Sequence, residues 1–171
     1  MDELKHLFIQ ERDIPYCIPL SVAEVDYCCS GKHERLRNRF REAGYETQYR
    51  VCWFRWSDLA LPEDVASVPH EDACSHVYLE VNIDGAWKVV DATWDPGLAS
   101  ALPVNEWEGE MRVAVPATKT LSREESEAYM ASLTSQDAQT DLEKHGKFYR
   151  ALNEWFEKVR MEAVEPNHFK I

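Results

Sequence analysis

Cys29, His76 and Asp91 are a thiol, an imidazole and a carboxylate, the three groups that nucleophilic acyl chemistry uses as attacker, base and orienter. A cysteine attacks as its thiolate, and the unpaired amides and dipole of a helix N-terminus favour that anion. Cys29 falls where such a helix should begin. It lies seven residues before Leu36 and eleven before Phe40, so at helical spacing it joins their apolar stripe and points towards the rest of the fold. Alone, each of the three has a plain structural reading: a small buried hydrophobe, a strand-end histidine, a turn aspartate. Their shared register makes the chemical reading specific.

That register comes from a hairpin. Residues 76–83 alternate, Asp84-Gly85 is a strong two-residue turn, and residues 86–91 return as the partner strand. With a loop of two or four residues, paired positions sum to 169. Tyr78 then faces Asp91, and His76 is diagonal to Asp91 on the same sheet face. Val77, Leu79, Val81 and Ile83 occupy the opposite face. A three-residue loop would destroy this arrangement.

The other elements follow from punctuation and period. An amphipathic piece at 4–9 leads in, before Pro15 and Pro19 break regular structure. Residues 30–43 read as a polar helix with Leu36, Phe40 and Ala43 as its stripe, stopped by Gly44. Residues 47–56 read as a buried strand, 57–75 as a long surface loop, and 111–115 as an edge strand. Ser122-Arg123-Glu124-Glu125 is a capping box for a helix. A last helix is expected over 137–163, with Leu142, Tyr149, Leu152, Phe156 and Val159 as an ordinary packing face.

Two blocks resemble the transglutaminase-like branch of the papain-like cysteine protease superfamily. In that family the nucleophile cysteine begins a helix that ends at a glycine about fifteen residues on, as Cys29 and Gly44 do. A histidine strand, a D-G-x-W turn and a strand ending in V-D-x-T then follow. Here these are His76-Val77-Tyr78-Leu79-Glu80-Val81, Asp84-Gly85-Ala86-Trp87 and Val90-Asp91-Ala92-Thr93-Trp94. Cys29-Ser30-Gly31-Lys32-His33 is similar to a bacterial subgroup of transglutaminase-like proteins and departs from the G-x-C-x-D-x-A form found elsewhere. The resemblance spans about residues 26–96. It implies an α+β fold with a papain-like core, a cysteine-bearing helix packed on an antiparallel sheet, while chain length gives the expectation of one domain over 1–171. Residues 97–171 add an edge strand and two C-terminal helices. It further implies a Cys29–His76–Asp91 triad acting on a peptide or protein amide through a thioester, with the Cys29 amide as one oxyanion donor and no cofactor.

Neighbouring polar residues leave alternatives open. Cys28 could replace Cys29 as nucleophile, although it would leave the stripe. His33, one turn on, could tune the thiol, act as a second base or be structural. Lys32 could bond near the helix start or lie in solvent. Trp53, Trp56 and Trp94 could wall a groove or belong to the core. The acidic stretch 62–72 could gate that groove or merely connect.

Composition narrows the classes. The chain has 171 residues, 44% of them hydrophobic, and a net charge of −12, so one packed core is expected while nucleic acid and anionic membrane are disfavoured partners. The start, Met1-Asp2-Glu3-Leu4-Lys5-His6, lacks the basic head and apolar run of a signal peptide, giving a cytoplasmic expectation. Five cysteines, two adjacent, do not form a disulfide framework. No CxxC pair or HExxH helix suggests a metal, leaving Cys28, Cys29 and His33 as the one set that could share one. Against the enzyme stands a non-catalytic module that keeps the fold and holds a protein segment in its groove.

Overall fold

The structure, a computed structural model, describes residues 2–108 and 110–164. It is an α+β arrangement built on a four-stranded antiparallel sheet of order β3-β2-β1-β4, formed by β1 (Thr47–Arg55), β2 (Ala73–Ile83), β3 (Ala86–Val90) and β4 (Lys119–Thr120). Asp84 and Gly85 both take positive φ, 53° and 83°, the two-residue turn whose twist matches the strands it joins. Leu79 therefore pairs with Val90 and Ile83 with Ala86, which is the register summing to 169.

Strict alternation divides the sheet into two faces. Tyr49, Val51, Val77, Leu79, Val81 and Val90 pack against Leu4 and Phe8 of α1 (Asp2–Arg12) and Leu36 and Phe40 of α2 (Cys29–Glu42). Cys52, Phe54 and Tyr78 turn the other way, into a cluster with Trp94, Phe148, Leu152 and Phe156. The last three belong to a helix at Ser135–Val164. Between β1 and β2 lie a 3-10 turn (Trp56–Asp58) and a short helix, α3 (Glu63–Ala66). The preceding α4 (Arg123–Ser132) carries the Ser122–Glu125 capping box in full, so Ser135–Val164 is α5.

Two sequence expectations are corrected. Residues 111–115 are not a strand, because their main chain is used elsewhere: Ala114 N–H donates to Asp91, Ala114 O accepts from Trp94 Nε1, and Arg112 N–H and O both bond the Asn105 side chain. The edge strand is β4 instead, flanked by Thr118 N–H to Trp53 O and Leu121 N–H to Val51 O. Residues 57–75 lie largely at the surface but are not all loop, since they contain α3 and the first residues of β2. Glu71 pairs with Lys144 of α5, His70 stacks on Phe148 with ring centroids 3.7 Å apart, and β2 starts at Ala73, three residues before His76.

Among the described residues no helix is long and apolar enough to cross a membrane.

Candidate active site

Cys29 is the first residue of α2, and Cys28 is its N-cap without a side-chain cap. The first intrahelical bond runs from Lys32 N–H to Cys28 O at 3.0 Å, so the preceding amides of that turn are orphan donors. Cys29 N–H has no acceptor among the described residues. Cys29 packs towards the Leu36 and Phe40 stripe, whereas Cys28 packs towards the opposite cluster. The Cys28 thiol also accommodates negative charge poorly: its neighbour Cys29, then burial, then Asp26 push it well above the ordinary range.

His76 and Asp91 meet as the hairpin register requires, with His76 Nε2 2.7 Å from Asp91 Oδ2 and both side chains buried. Three further bonds hold the carboxylate. Ala114 N–H donates to Oδ2 at 2.8 Å, and Thr93 N–H and Oγ1–H donate to Oδ1 at 3.1 and 2.6 Å. Burial by itself would raise the Asp91 pKa; the facing His76, with His33 and Thr93, overrides it and holds the group well below the usual carboxylate range. Asp91 is therefore an anion that only accepts, so the bonded His76 nitrogen carries the proton. Nδ1 is left as the lone-pair nitrogen, and no described group bonds it.

The two residues after Gly31 are clamps. Lys32 is fully buried, with Nζ donating to Arg12 O, Ile14 O and Thr93 O at 2.9, 2.8 and 3.0 Å. All three ammonium protons are thereby satisfied, while burial, opposed by Asp95 and Glu11, lowers its pKa to about 8. His33 Nδ1 lies 2.7 Å from Cys29 O and His33 Nε2 accepts from Ala92 N–H at 2.9 Å. Main-chain polarity dictates its tautomer, with the proton on Nδ1. Burial lowers its pKa to about 4. Both nitrogens being occupied, His33 is neither a second base nor a free metal ligand. Lys32 is likewise not a solvent-exposed lysine.

A cavity of about 330 Å³ opens over Cys29 and His76, both of which line it, while Asp91 lies behind the imidazole. No hydrogen bond joins Cys29 to His76 among the described residues. Trp56 and Trp94 are 4% and 2% exposed and line the same cavity, so they are core and wall at once. Trp53 borders a neighbouring cavity of about 200 Å³.

Sequence reasoning missed Thr93, Asn105 and the Ala114 amide. The V-D-x-T pattern contained Thr93 without a stated role. Asn105 donates to Asp91 O at 3.0 Å and to Arg112 O at 2.8 Å, which carries residues 112–114 to the carboxylate. Nothing in the local pattern of 105 or 114 signals a contact with 91.

Compared with protein-family models, curated proteins and solved structures, the chain matches none.

Proposed function

We propose that this chain is a thiol-dependent acyl-transfer enzyme with a papain-like, transglutaminase-like core, acting on a peptide or protein amide. The observation that carries the reading is the 2.7 Å bond between His76 Nε2 and Asp91 Oδ2, which leaves Nδ1 as the base in a cavity that Cys29 also lines. Cys29 gives its proton to His76 Nδ1, and the sulfur attacks the amide carbonyl carbon. Its oxygen becomes an oxyanion beside the orphan Cys29 N–H. The C–N bond then breaks as the imidazolium returns the proton to the leaving nitrogen, producing a thioester and ammonia or an amine. Water or a second amine, deprotonated by His76, attacks the thioester and releases Cys29. Asp91 fixes the tautomer throughout and stays ionised.

Residue-resolved alkylation tests this. Cys29 should label faster than the other four cysteines at neutral pH, and His76→Ala should slow Cys29 alone by about tenfold or more. Equal slow labelling at Cys29, unchanged by losing His76, would remove the triad and favour a binding module on the same cavity.

A further inference from the structure

The cavity over Cys29 has a composition that its catalytic residues do not require. Its walls are aromatic and aliphatic, with Tyr16, Phe54, Trp56, Trp94 and Tyr149 among them. Apolar character continues onto both lips. Val22, on the segment before α2, is 53% exposed, and Leu133, between α4 and α5, is 44% exposed. Single exposed aliphatics are ordinary, but two facing one apolar cavity extend its apolar surface outward.

The charges have one sign. No described lysine or arginine lines the cavity, while Glu24, Asp26 and Asp141 do. Each carboxylate is held by a nearby residue of the sequence: Glu24 accepts from Leu20 N–H, Asp26 from Cys28 N–H and Asp141 from Tyr149 O–H, at 2.8, 2.7 and 2.7 Å. None pairs with a lysine or arginine among the described residues, and Asp141 has His145 Nε2 at 3.9 Å. Arg35, whose guanidinium bonds the Asp26 carbonyl, offsets Asp26, so the uncancelled negative potential is that of Glu24 and Asp141, in a chain of net charge −12. Below them the His76 side chain, 2% exposed, has a ring nitrogen without a partner among the described residues.

Resting on the acyl-transfer reading, we infer that the cavity selects amides whose acyl part joins a bulky apolar side chain to a flanking cation. The apolar group fills the cavity between Trp56 and Trp94. The cation, an ammonium or guanidinium, sits at the rim between Glu24 and Asp141. Acidic amides are rejected by like-charge repulsion and desolvation.

Binding to the Cys29→Ala protein, read from tryptophan fluorescence, tests selection without turnover. Acetyl-Lys-Phe-amide should bind about tenfold tighter than acetyl-Glu-Phe-amide, from two rim charges screened by solvent and salt. It should also outbind acetyl-Lys-Ala-amide, which leaves the apolar space empty. The Lys-to-Glu preference should shrink towards unity in Glu24→Gln/Asp141→Asn, whose new amides retain acceptor oxygens. Equal affinities, absence of binding by all three peptides, or a preference that survives the double substitution would each overturn the inference. Alkylation of Cys29 separates the two readings: slow labelling with selective peptide binding removes the enzyme and keeps the selectivity, whereas fast labelling without selectivity does the reverse.

Discussion

His33 Nε2 accepts the Ala92 N–H at 2.9 Å while the other nitrogen of the same ring contacts Cys29 O at 2.7 Å. One imidazole therefore ties the first turn of the cysteine helix to the main chain beside Asp91. The tie exists only in the neutral tautomer, since a protonated Nε2 would face an N–H donor with a donor.

A pH dependence of stability follows. Burial lowers the His33 pKa from 6.5 to about 4, so between these values the unfolded chain binds a proton that the folded chain does not. Stability must then rise with pH across that window and fall as pH drops from 6.5 towards 4. The full effect is about 3 kcal/mol, at roughly 1.4 kcal/mol per pH unit. Asp91 adds little above about pH 5, because its depressed pKa makes its contribution fall away as the unfolded carboxyl, at 3.8, takes up its proton, and it titrates alike in wild type and His33→Gln. Urea unfolding of wild type and His33→Gln at several pH values between 4.2 and 7 checks this. The difference in stability should narrow as pH falls; a constant difference would rule out His33 as the titrating group.

Asp91→Asn should cost more than the loss of one charge. Both carboxylate oxygens accept two hydrogen bonds each, from His76 and Ala114 on one and from the two Thr93 donors on the other. Whichever way the asparagine turns, its NH₂ faces a main-chain N–H, of Ala114 or of Thr93, that can only donate, and its second neighbour must invert, His76 by changing tautomer or Thr93 by rotating its hydroxyl. A loss of about 3–5 kcal/mol is expected for a broken buried charged network, with Cys29 alkylation slowing to the His76→Ala rate. Denaturant titration and residue-resolved labelling read the two effects. Near wild-type stability would mean that the carboxylate network is not held as described.

Periodicity exposed what is local. The Asp84-Gly85 turn specified the hairpin register, hence the meeting of His76 and Asp91, and the Leu36–Phe40 stripe oriented Cys29. The support around them is carried by main-chain atoms from distant positions. Lys32 reaches Arg12 O, Ile14 O and Thr93 O, and no spacing rule says that a lysine in a polar helix ends among three carbonyls. Residues 111–115 misled for a related reason. Strands need free main-chain groups, and here Ala114 N–H is taken by Asp91 and Ala114 O by Trp94. The helix of α5 begins two residues earlier than its apolar face implies because Thr134 and Asp137 bond one another around its first turn.

Two glycine substitutions in helices should shift stability in opposite directions. In an open helix interior, alanine is favoured over glycine by up to about 1 kcal/mol. Gly146 in α5 is such a position: an added Cβ would meet nothing within 4 Å, so Gly146→Ala should raise the urea midpoint. Gly31 in α2 is different. Its Cβ would lie 2.2 Å from Asp26 O and 2.7 Å from Asp26 Cβ, and main chain at that distance must move. The same Asp26 accepts Cys28 N–H at 2.7 Å and, through its carbonyl, Arg35 Nη1–H at 2.6 Å, so displacing it disturbs the entry into the cysteine helix. Overpacking of this kind costs about 1–3 kcal/mol, enough to outweigh the gain in propensity. Gly31→Ala should therefore lower the midpoint and change the alkylation rate of Cys29. Gly146→Ala should leave that rate alone. A stabilised Gly31→Ala protein with unaltered labelling would show that the contact between Gly31 and Asp26 does not set the position of Cys29.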